Sequence, residues 1–79
     1  MAEKQKQDAF GIVLRIYRQE KGLTQEQLGE RVDVVRSFIC SLENGDRQPS
    51  LQMVFKLAAA LGVSARELVG AMEDRLASK

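Results

Sequence analysis

Between Leu23 and Pro49 the chain reads LTQEQLGERVDVVRSFICSLENGDRQP, a stretch that cap and turn residues divide into two helices too short to stand alone. Thr24 has the hydroxyl to cap the first of them, and Gln27, three residues on, completes a capping box. Leu28 and Val32 add an apolar i, i+4 pair, which predicts a helix over about 24–31. Val34, Phe38, Ile39 and Leu42 recur at helical spacing and predict a second over about 35–43, stopped at Asn44-Gly45, where left-handed backbone costs little. Two helices of about two turns each bury no core between them, so the flanking segments must supply packing partners.

Those segments are helical too. Asp8 can open a first helix in which Phe10, Leu14 and Tyr17 form an i, i+4, i+7 stripe ending at Lys21-Gly22. Residues 1–7 lack apolar periodicity and read as a flexible leader. After the turn Gly45-Asp46-Arg47-Gln48-Pro49, Ser50 is placed to cap a fourth helix whose Leu51, Val54, Phe55, Ala58 and Leu61 are expected to face the core. Gly62 ends it. Ser64 and Glu67 make another capping box, opening a fifth helix with Leu68, Met72 and Leu76 along one side. No segment carries a strand signal. The expected fold class is all-α: a compact five-helix domain over 8–69, with 70–79 as a C-terminal extension of helix five.

Composition limits the function. The lone Cys40 cannot form an internal disulfide, which suits a reducing, cytoplasmic setting. No run approaches the length of a membrane span, and the start MAEKQKQD is polar rather than signal-like. With no His, one Cys and no carboxylate cluster of metal spacing, neither a metal site nor a catalytic triad has parts to work with, so the expectation is a non-enzymatic protein without metal or cofactor.

Several features in fixed order, GLTQEQL, RSFICSLENG, RQPS and LAAALGVSARELV, resemble the phage-repressor (xenobiotic-response-element) type of helix-turn-helix domain over about residues 8–69. The resemblance implies a lambda-repressor-like five-helix domain that binds double-stranded DNA, usually as a dimeric transcriptional regulator on a palindromic operator. The chain is also similar to short stand-alone regulators such as restriction-modification controller proteins. In this motif the second helix of the pair lies in the major groove. Arg36, Ser37, Cys40 and Ser41 fall on its outward side if Ile39 and Leu42 point inward, and are the candidate base contacts. Arg36 is the strongest, because a guanidinium can bond both acceptors of guanine, worth about 1–3 kcal/mol of discrimination. Gln25, at the start of helix two where free amides favour an anion, together with Asn44 and Arg47, is a candidate phosphate contact.

Two departures from the family pattern affect the reading helix: Val35 stands where a Ser or Thr cap is usual, and Asp33 where Gly is usual. Asp33 is expected to take over as the cap, one or two residues early. Charge is the other concern. Net charge is only +1, and Arg15, Arg18, Lys21, Arg31, Arg36 and Arg47 are matched by six acids between Glu20 and Asp46. A monomer should bind DNA weakly, and a homodimer is expected. Helix five, through Leu68, Val69, Met72 and Leu76, is the favoured interface; Ile12, Val13 and Ile16 make helix one the other apolar surface. The alternative is an antitoxin-type or protein-interaction module that uses such a face for a partner protein.

Overall fold

A computed structural model describes residues 9–77, which form α1 (Ala9–Glu20), α2 (Gln25–Val32), α3 (Arg36–Asn44), α4 (Leu51–Leu61) and α5 (Ala65–Ala77), with no strand among the described residues. The leader at 1–7 and the opening of helix one at Asp8 lie outside them.

Local cap chemistry sets most of these bounds. Thr24 Oγ1 accepts from the Gln27 amide at 3.0 Å while Gln27 Oε1 accepts from the Thr24 amide at 2.9 Å, so the box opening α2 is complete. Ser50 Oγ accepts from the Met53 amide at 3.0 Å and Ser64 Oγ from the Glu67 amide at 3.0 Å. The Glu67 carboxylate accepts the Tyr17 hydroxyl at 3.4 Å, joining α5 to α1. Burial, and then this carboxylate, raise the Tyr17 phenol above its ordinary value of 10.0.

α3 starts differently. Asp33 does not cap it: Asp33 is the left-handed C-cap of α2, at φ 62° and ψ 45°, with its amide turned back to the Gly29 and Glu30 carbonyls. The N-cap of α3 is Val35, extended at φ −75° and ψ 158°, and without a side-chain cap bond. The cause is the tightness of the turn. The Val34 amide donates to the Gly29 carbonyl at 2.9 Å, and a Cβ on Gly29 would stand 2.6 Å from the Val34 oxygen. The chain must reverse at Asp33 before it can start α3.

The core gathers Phe10, Val13 and Leu14 of α1, Leu28 and Val32 of α2, Ile39 and Leu42 of α3, Val54, Leu57, Ala58 and Leu61 of α4, and Leu68 of α5. α3 packs on both α1 and α2, while α5 closes against α1 and α4. Gly11 permits the α1–α3 contact, since a Cβ there would meet the Leu42 carbonyl oxygen at 2.5 Å. Three expectations are corrected. Leu51 and Phe55 do not face the core but are 70% and 56% exposed, because Leu57 joins Val54, Ala58 and Leu61 and turns the buried face away from them. Val13, taken as surplus to the helix-one stripe, is core. Leu68 is fully buried among this chain's own helices and so offers no surface to a dimer partner.

Candidate nucleic-acid interface

The exposed side of α3 follows from what its other side buries. Ile39, Leu42 and Glu43 are buried, so at about 100° per residue Ser37, Ser41 and Asn44 project away from the core, with Cys40 and Arg36 toward the edge nearest α2. Arg36, Ser37 and Asn44 are exposed, and Cys40 and Ser41 are half-buried. Ser41 is the most enclosed in backbone terms: its carbonyl accepts the Asp46 amide at 2.9 Å and the Arg47 amide at 3.3 Å, closing the turn after the helix. Asn44 Nδ2 donates to Cys40 Sγ at 3.5 Å, one helical turn back along the same row.

The edge beside α2 carries charge. Arg36 Nη1 donates to Gln25 Oε1 at 3.0 Å, so the two residues assigned to base and phosphate contact touch each other. Gln25 Nε2 donates to Glu43 Oε1 at 3.0 Å. Glu43 has no exposed side-chain surface, and Arg18 grips it with Nε at 2.6 Å from Oε2 and Nη2 at 3.1 Å from Oε1. Arg15, half exposed, stands 3.6 Å from the same carboxylate. A buried carboxylate is tolerable only with such charge-assisted partners. Beyond the C-terminus of α3, the Arg47 guanidinium lies 5.8 Å from the centre of the half-buried Phe38 ring, a cation–π contact that pins the turn against the helix.

Sequence reasoning missed Glu43 and Arg18, counting both as surface charge. A signal existed: Glu43 follows Ile39 by four residues, which places it on the inward face. Among the described residues no group of three or more His, Cys, Asp and Glu could hold a metal ion, and no helix is long and apolar enough to cross a membrane. The row on α3 presents a guanidinium, hydroxyls, a carboxamide and a thiol, groups that can bond a polar, anionic surface.

A helix-turn-helix family model matches residues 14–68. A helix-turn-helix transcriptional regulator of Methanothermobacter thermautotrophicus is 50% identical over 50 residues, 63% of this chain and 72% of the relative. The control protein C.MunI of a Mycoplasma species is 38% identical over 65 residues, 81% of this chain and 88% of that protein. Among solved structures, the restriction-modification controller protein C.AhdI of Aeromonas hydrophila superimposes with a TM-score of 0.74 at 43% identity, covering 77% of this chain and 92% of that one.

Proposed function

Because this chain belongs to the helix-turn-helix family of DNA-binding transcriptional regulators, we propose that it is a sequence-specific regulator that binds a palindromic DNA operator as a homodimer in the cytoplasm. The observation that carries this reading is the exposed ridge of α3 beside the N-terminus of α2, with Arg36 already held at the seam by Gln25. α3 enters the major groove and α2 crosses the backbone. Arg36 reads guanine, and Ser37, Cys40 and Ser41 approach neighbouring base edges. Gln25 meets a phosphate at the α2 N-terminus, and Asn44 and Arg47 hold phosphates past the end of α3. The start of α3 at Val35 has no side-chain cap, and ahead of the Phe38 amide, which donates to the Val35 carbonyl at 3.0 Å, the first amides of the helix can meet a further phosphate.

The homodimer forms through α4 and α5. Leu51, Phe55 and Leu76 are 70%, 56% and 61% exposed, and with Val69 and Met72 they give α4 and α5 an exposed apolar face. A groove lined by Pro49, Leu51, Val54, Val69 and Met72 runs along it. Selection from random duplex DNA at near-physiological salt tests the whole reading. The expected result is an enriched palindrome with half-sites about 10 base pairs apart. No enrichment by folded protein would sink it and leave the apolar face as the site of a partner protein.

A further inference from the structure

Hydrogen bonds run without a break from the interior of the chain to the reading ridge. Arg18 is anchored by Nη1 to the Leu23 carbonyl at 2.8 Å and clamps both oxygens of the buried Glu43. Arg15 Nε stands 3.6 Å from Glu43 Oε1, and Gln25 Nε2 donates to the same oxygen at 3.0 Å. An ionised carboxylate only accepts, so Gln25 must turn its nitrogen inward and its oxygen outward. The outward oxygen takes Arg36 Nη1 at 3.0 Å. A reversed amide would set oxygen against carboxylate and N–H against guanidinium, two mismatches at once.

We propose that Glu43 is a positioning residue for DNA specificity: from a fully buried place it fixes the polarity of the Gln25 amide, which in turn holds the Arg36 guanidinium ready to read a base edge. The proposal rests on Arg36 being a base contact and gives Gln25 a second task beside its phosphate. An exposed arginine samples many rotamers; tethering one N–H beforehand lowers the ordering cost of a bidentate contact and leaves four donors for the base. Glu43 has no exposed side-chain surface, so its effect on DNA passes through Gln25 and the Arg36 that Gln25 holds.

Two variants separate this from a structural role. Gln25→Met keeps length and leaves the Arg18–Glu43 clamp whole, so the fold is retained. Glu43→Gln puts an amide where only acceptors stood; with its oxygen kept on Arg18 Nε at the place of Oε2, its N–H faces Gln25, calls for the Gln25 oxygen and turns the Gln25 nitrogen toward Arg36. Affinities are measured on the selected operator and on random duplex, with Arg36→Ala as reference. In both variants the ratio of the two affinities is expected to fall at least about tenfold; random-duplex affinity changes little in Glu43→Gln and drops in Gln25→Met by the share that its phosphate contact supplied. Adding Gln25→Met to Arg36→Ala should lower the ratio no further. Equal losses on both DNAs would reduce Gln25 to a phosphate anchor and overturn the proposal, as would an unchanged ratio. Where Glu43→Gln fails to fold, Gln25→Met decides. Side-chain NMR of Arg36 in the free protein adds a readout without DNA: an ordered Nε–H in the wild type that averages in Gln25→Met is expected, and equal order in both overturns the relay even if the wild type selects an operator. A wild type that prefers no sequence overturns the DNA reading and this proposal with it, whatever the NMR finds.

Discussion

Arg36 and Arg47 bear the same charge but meet different surroundings, and their losses should differ in kind. Arg36 lies on the exposed ridge of α3 and is oriented by a neutral amide; Arg47 sits beyond the helix, stacked on Phe38. Arg36→Ala is expected to relax sequence preference by about 1–3 kcal/mol at one base pair, whereas Arg47→Ala weakens binding to all duplexes alike and lowers the salt slope by about one phosphate. Titrations of both variants on operator and random DNA check this, and parallel losses for the two would contradict the assignment. Asp33 offers a test of the turn. It is the one non-glycine residue at positive φ among those described, and left-handed backbone costs a β-carbon-bearing residue about 1–2 kcal/mol. Asp33→Gly should therefore stabilise the fold, by about 1 kcal/mol once the extra freedom of glycine in the unfolded chain is subtracted. Urea unfolding reads this directly.

Among the helix starts whose N-cap is described, α3 is the one without a side-chain cap, although its N-cap backbone has the extended geometry that a capping residue adopts. Val35 is also 69% exposed, so removing its side chain forfeits little burial. Val35→Ser is expected to add about 1 kcal/mol of stability by giving an α3 amide an acceptor. A thermal transition that stays put or falls would mean that the turn already holds the helix start as firmly as a cap could. The elements themselves were legible because caps are local chemistry: Thr24 with Gln27, Ser50, and Ser64 each need only residues within one turn. Asp33 was misread for the same reason reversed, since both a cap and a left-handed turn residue are natural roles for an aspartate, and the Gly29 contact that decides between them lies outside its own turn. The inner face of α4 was legible only in part. Leu51 and Phe55 fit helical spacing as well as Val54, Leu57 and Leu61 do, and only packing against α2 and α5 chooses between the two faces. In the candidate site the outward row followed from Ile39 and Leu42, but the Arg18–Glu43 clamp spans 25 residues and two helices, a pairing no local pattern reveals.

At the scale of the whole molecule, a chain of net charge +1 has little long-range attraction for DNA, so affinity must come from the number of contacts made at once. Two copies joined through α4 and α5 would double the phosphate contacts, and the exposed apolar side chains on those helices can be altered without touching the core. Leu51→Glu with Phe55→Glu should leave thermal unfolding of dilute protein nearly unchanged, because both side chains already lie mostly in water. The same pair of changes should abolish the dimer in sedimentation equilibrium and cut the salt slope on palindromic DNA to about half, since that slope counts the phosphates neutralised. Leu68→Ala gives the opposite pattern. Its side chain is sealed within one chain, so the loss should be about 2–5 kcal/mol of folding stability with no specific effect on association. Were the double glutamate variant to dimerise as before, α4 would be free of the interface and its apolar side chains would be the surface for a different protein; were it monomeric with an undiminished salt slope, a single copy would already make every phosphate contact.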